Sequence, residues 1–197
     1  MIANTLTAFR LVLAVPVAWG IAHPGALPAG AVLGCVLVAI ATDLLDGIAA
    51  RKTGTASAGG RLYDHATDFL FVTSGLAAAA VAGAAPLALP VLIVIAFSQY
   101  VADSYWLHRE KQLRMSVLGR WNGMLYFVPL IALGVGELAP GAAAWSELVR
   151  WLSWALIVST VASIVDRGLA PRRDAEATFA PRSADGMGAE TNAEAGT

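Results

Sequence analysis

Residues 43–68 read DLLDGIAARKTGTASAGGRLYDHATD, with four aspartates set beside long apolar runs. Asp43, Asp46, Gly47 and Ala50 follow one another at steps of three, one and three, which keeps them on one face of a helix. Asp64 and Asp68 are four apart and again share a face. The intervening KTGTASAGG is loop by composition. The expected arrangement is an antiparallel helical hairpin with its acidic faces at one end. At 1.5 Å rise per residue, Asp43 stands roughly 12 Å from Arg51 and Asp68 roughly 10 Å from Arg61. Asp46 and Asp64 are shallower, at roughly 7 Å and 4 Å. Asp43 should therefore face Asp68, and Asp46 should face Asp64. Four clustered carboxylates repel one another and resist losing water. A helix N-terminus favours Asp64 and Asp68, whereas the dipole at a helix C-terminus disfavours Asp43 and Asp46. Divalent cations supply the missing charge. An oxygen-only donor set suits magnesium or manganese rather than zinc, and two ions about 4 Å apart could share bridging carboxylates.

The elements that carry these acids are read from the apolar blocks. Of the 197 residues, 57% are hydrophobic and only 14% charged, little more than half the soluble norm. A bilayer core needs about 20 residues of helix. Six membrane helices are expected, over about 7–23, 28–50, 62–83, 87–107, 121–138 and 149–166, which makes the fold all-α, a polytopic bundle. Arg10 lies in the first turn of the first helix, and its guanidinium is expected to reach the headgroups. A soluble helical protein is excluded, because six such blocks leave too little polar surface to cover them. A cleaved signal peptide lacks its basic leading region, and five blocks would remain in any case. Cys35 stands alone in an apolar run and supports neither a disulfide nor a cysteine metal cluster. A net charge of −1 gives no field for nucleic acid.

Lysine and arginine concentrate in the connections 51–61 and 108–120 and in the tail, while HPGALPAG and AGAAP carry none. Both termini, both basic loops and the acidic site are therefore expected on the cytoplasmic side. The membrane domain is expected to span 1–170. The tail 171–197 is rich in alanine, glycine and charge, with no helical periodicity, and is expected to be disordered.

These residues resemble the signature of the CDP-alcohol phosphotransferase family, D-x2-D-G-x2-A-R-x8-9-G-x3-D-x3-D. Asp43, Asp46, Gly47, Ala50, Arg51, Gly60, Asp64 and Asp68 occupy every fixed position. NTLTAFR resembles the PNxLTxxR opening of bacterial members, with Asn4, Thr7 and Arg10 matching and Ala3 where proline is usual. The resemblance covers about residues 3–166 and points to the bacterial phosphatidylglycerophosphate synthase-like members. It implies an integral-membrane enzyme, usually dimeric, of the bacterial inner membrane, that moves a phosphoalcohol from a CDP-linked donor to a hydroxyl acceptor and releases CMP. It further implies that Asp43, Asp46, Asp64 and Asp68 hold two Mg2+ or Mn2+ ions, that Asp68 is also the general base, and that Gly47, Ala50, Arg51 and Gly60 border the CDP moiety. CDP-diacylglycerol is the expected donor and glycerol 3-phosphate the leading acceptor, ahead of inositol phosphate, serine or another alcohol.

Outside the signature, Lys111, Arg114 and Arg120 could hold a phosphate on the acceptor, or could merely orient helices and meet anionic lipids. Gly47, Ala50, Gly59 and Gly60 leave room for a bulky ligand, though small residues also serve helix packing. Asp103 is expected to pair with Arg109, and His65 to point about 100° away from Asp64, off the site. Tryptophans near helix ends suit aromatic belts. A divalent-cation transporter is the alternative of another class. It would normally show repeated halves, and no second acidic helix pair occurs.

Overall fold

A computed structural model describes the backbone of residues 2–53, 58–102 and 117–179. Among these residues all regular structure is helical: α1 (Ile2–Ala22), α2 (Ala31–Thr53), α3 (Ala58–Val81), α4 (Ala88–Ala102), α5 (Val117–Leu125), α6 (Phe127–Gly136) and α7 (Ala142–Phe179). Tyr126, between α5 and α6, keeps helical backbone angles, so the two segments are one helix with a break. Pro129 supplies the reason. It has no N–H for the carbonyl of Leu125, the last residue of α5. The chain divides into two compact units, Met1–Ile164 and Val165–Thr197. The second is helical from Val165 to Phe179, which takes in the first nine residues of the expected tail. Residues 180–197 lie outside the described residues, as do Asp103, His108, Arg109, Lys111 and Arg114.

Three stretches are long and apolar enough to cross a membrane: Ala31–Ile48, Leu118–Gly136 and Ala142–Leu169. Leu6–Ala22 and Ala88–Ala102 are apolar but shorter. The remaining expected span, α3, is interrupted by the charges of Asp64 and Asp68. The outward faces are apolar. Val12, Val15, Trp19, Val81, Trp151 and Val158 are each more than half exposed. A surface of this kind is unsuited to water and suited to hydrocarbon. The last helix begins seven residues earlier than the apolar pattern suggests. Gly141 takes a left-handed φ of +87°, and the alanines that follow are strong helix formers whether or not lipid surrounds them.

The core that positions the site is built on α1, α2 and α3. On α1, Thr7, Arg10, Ala14, Val17 and Ile21 are buried, a stripe with alternating steps of three and four. On α2, Val32, Val36, Ala39, Thr42 and Asp46 form a matching stripe. On α3, Phe71 and Ala78 continue the face that begins at Asp64 and Asp68. Each stripe is apolar along the core and polar at one end, and the three polar ends coincide. Helix α1 packs on both α2 and α3, which make little direct contact among the described residues. The expected hairpin therefore has a third helix wedged into it.

The other helices brace this trio. A Cβ on Gly134 of α6 would lie 2.8 Å from the Cα of Leu33, so α2 and α6 meet backbone to backbone. Phe69 and Phe97 stack at 4.1 Å and join α3 to α4. Polar clamps tie α5 and α6 to α7. The Tyr126 hydroxyl lies 2.7 Å from Thr160 Oγ1, which donates to the Leu156 carbonyl at 2.6 Å. Ser159 donates to Asn122 Oδ1 at 2.6 Å.

Candidate active site

The four aspartates converge, as their spacing requires, and at their centre lies a side chain that hydropathy places elsewhere. Arg10 is fully buried, with 0% of its side chain exposed. Its Nη2 faces α2, 3.2 Å from Asp43 Oδ1 and 3.8 Å from Asp46 Oδ2. Its Nη1 faces α3, donating to Asp64 Oδ1 at 3.1 Å and also to Asp68 Oδ1. Thr7, one turn earlier on the same stripe, donates to Asp46 Oδ2 at 3.2 Å. The expectation that Arg10 reaches outward to headgroups is thus corrected. A lone arginine on an apolar helix does seek the interface. Four carboxylates from two neighbouring helices offset its desolvation more fully than headgroups can.

The cluster is closed on one side and open on the other. The Asp46 side chain is 5% exposed, whereas those of Asp43, Asp64 and Asp68 are 38%, 30% and 24% exposed. Asp46 Oδ1 is buried and finds no hydrogen-bond partner among the described residues, and neither do Arg10 Nε and Nη2. One guanidinium faces four carboxyl groups, so acidic groups outnumber basic ones by three. A surplus of acidic groups, an orphaned buried carboxylate oxygen and an oxygen-rich donor set all fit a hard divalent cation. A zinc-type site would need nitrogen or sulfur donors.

His65 supplies one nitrogen. It offers a ligand atom that lies, with one from Asp64 and one from Asp68, inside a group spanning no more than 4.8 Å. Its ring also meets Tyr100 of α4 edge-on, with centroids 6.4 Å apart. The helical offset that sets His65 aside holds for its Cα, but the imidazole is long enough to swing back. The signal available in sequence is adjacency to Asp64 alone.

The other signature residues are less concentrated. Gly47 is partly buried and Gly60 exposed, near the ends of α2 and α3. Ala50 and Arg51 belong to the last turns of α2, and their side chains are outside the described set. Arg120 is exposed on α5. Trp121, Trp151 and Trp154 face outward, as belt residues should. Cys35 is a free thiol packed against the core.

A family model described as CDP-alcohol phosphatidyltransferase matches residues 1–162. Searches of curated proteins and of solved structures find no match to the chain.

Proposed function

The chain belongs to the CDP-alcohol phosphatidyltransferase family, and from that premise we propose that it transfers the phosphatidyl group of CDP-diacylglycerol to glycerol 3-phosphate, releasing CMP. The family's reaction moves a phosphatidyl group from a CDP-alcohol to an acceptor. The observation that carries the reading is the convergence of Asp43, Asp46, Asp64 and Asp68, all signature positions, on one buried guanidinium.

Asp43, Asp46, Asp64 and Asp68 would hold two Mg2+ or Mn2+ ions. When bound, these ions supply positive charge to the diphosphate of the donor and to departing CMP. Arg51 adds a guanidinium for a diphosphate oxygen. Gly47, Ala50 and Gly60 leave the cytidine side of the site uncrowded. Asp68 takes the proton from the acceptor hydroxyl. The acceptor oxygen then bonds to the phosphorus that bears diacylglycerol, the bond from that phosphorus to the bridging oxygen breaks, and the electron pair leaves with CMP. Lys111, Arg114 and Arg120 hold the acceptor's phosphate. An open apolar groove of about 600 Å³, lined by Leu11, Val15, Trp19, Leu70 and Ala78 among others, supports a donor with acyl chains. It begins one residue beyond Arg10 and two beyond Asp68.

Around this site we place six membrane spans, a 1–170 membrane domain and a 171–197 tail, with both termini on the cytoplasmic side of a bacterial inner membrane. Charge asymmetry of the connections supports the orientation. A Thr55→Cys probe on a Cys35→Ser background should resist an impermeant thiol reagent in intact cells, and labelling from outside would contradict it. Family resemblance supports a homodimer; a monomeric mass by light scattering in detergent would contradict that.

The function is tested by CMP release from CDP-diacylglycerol by purified protein, run against a panel of acceptors. Release that depends on glycerol 3-phosphate supports the reading. Release only with serine, inositol phosphate or another alcohol would replace the acceptor and leave the chemistry standing. No release with any acceptor would contradict both.

A further inference from the structure

Helix α1 joins the site through one side chain. Arg10 spends one amino group on the acids of α2 and the other on the acids of α3. Because α2 and α3 scarcely touch each other among the described residues, the guanidinium on α1 links their acidic faces by meeting both. Its hydrogen bonds go to Asp64 and Asp68 of α3, while Nη2 meets Asp43 and Asp46 of α2 as an ion pair, and neither Nη2 nor Nε has a hydrogen-bond partner among the described residues. The oxygens that hold it are the oxygens a divalent cation would need. A cation drawn to Asp43, Asp64 and Asp68 meets a buried guanidinium within a few ångströms, and like charges at that range in a poorly solvated site repel strongly. The two cannot both be fully coordinated.

We propose that Arg10 is a resident counter-ion that assembles the four-aspartate site in metal-free protein and yields its carboxylates when divalent cations bind, so that it lowers metal affinity while stabilising the metal-free fold. Arg10 is in this sense a positioning residue. The inference rests on the reading of the aspartates as a divalent-cation site. Two observations distinguish this role from that of an ordinary buried ion pair. Four carboxyl groups face the one guanidinium, three more than it can neutralise. Asp46 Oδ1 is buried with no hydrogen-bond partner among the described residues. A finished ion pair would leave neither.

The test uses the full chain in detergent, purified with Mn2+ throughout and then stripped by chelator. Mn2+ alone is the probe. Calorimetry gives its affinity, and thermal melts are run in chelator and at saturating Mn2+. Arg10→Gln should bind Mn2+ at least about ten-fold more tightly than the unmodified protein, with Arg10→Lys between them, since one ammonium cannot serve both helices. In chelator Arg10→Gln should melt well below the unmodified protein, and Mn2+ should close most of that gap. Unfolding of Arg10→Gln on stripping also supports the proposal, and the affinity comparison then rests on Arg10→Lys. Equal or weaker Mn2+ binding in both variants would overturn it. So would a melting deficit in Arg10→Gln that is the same with and without Mn2+, or failure to recover that variant folded in Mn2+. If the unmodified protein binds no Mn2+, the metal reading itself falls. If it binds Mn2+ and the variants bind no better, only the role of Arg10 falls.

Discussion

Two buried polar clusters among the described residues are built on opposite principles. The pair between Tyr126 and Thr160 of α7 is neutral, and both hydroxyls are bonded. Tyr126 meets Thr160, and the Thr160 hydroxyl donates a hydrogen bond to the Leu156 carbonyl. The cluster among α1, α2 and α3 is charged and incomplete, with four acids for one base and a buried oxygen left over. A satisfied neutral pair inside a helical bundle holds helices together and asks for nothing more. An unbalanced charged cluster keeps its cost until something else arrives. Within one core, the first is joinery and the second is a site.

Substitutions should separate the two clusters by kind of effect as well as by size. The largest loss is expected at Asp68. Asp68→Asn keeps the shape and one oxygen donor but cannot take the acceptor's proton. Single-turnover CMP release should fall by about 10²- to 10⁴-fold while donor binding survives at saturating magnesium. Near-normal turnover with donor bound would remove Asp68 as the base. Asp46→Asn should weaken metal or donor binding instead, and added metal should partly restore it.

A smaller effect is expected at the basic residues of the 108–120 connection. Neutralising whichever of Lys111, Arg114 and Arg120 holds the acceptor's phosphate removes a charge-assisted hydrogen bond worth roughly 1.5–3 kcal/mol. The acceptor KM should rise by about 10- to 150-fold, with the donor KM little changed. Equal activity of the unmodified enzyme on a free alcohol and on its phosphate ester would remove the reason for this pocket.

The smallest effect belongs to the clamp. Tyr126→Phe leaves Thr160 bonded to its own helix, so stability should drop by only about 0.5–1.5 kcal/mol in reversible unfolding. The metal requirement and both KM values should not move. A shift in metal dependence would show that the clamp and the charged cluster are coupled, and the contrast drawn between them would fail.

The acids were legible in sequence for a physical reason. Helical periodicity converts a spacing of three or four into a shared face, and carboxylates in an apolar context are too costly to be incidental. The helical class and most helix positions followed from the length of the apolar blocks. Arg10 was not legible from hydropathy, because α1 is apolar nearly all round and shows no inward face to place its one charge. The stripe Thr7–Arg10–Ala14–Val17–Ile21 exists only once α2 and α3 are packed against it. The opening motif containing Thr7 and Arg10 marked both residues but said nothing of what they touch. His65 was hidden for a related reason: helical geometry fixes a Cα direction, and a long ring can reach around it. The early start of α7 escaped because apolarity reports where lipid lies, and a helix needs no lipid to continue.

The central claim is that the four aspartates form a divalent-cation site on which the transfer depends. It is tested most directly by stripping the purified protein with chelator, supplying CDP-diacylglycerol and glycerol 3-phosphate, and following CMP before and after magnesium or manganese is returned. Stripped protein should release no CMP, and either ion should restore release. Full turnover in metal-free buffer would contradict it.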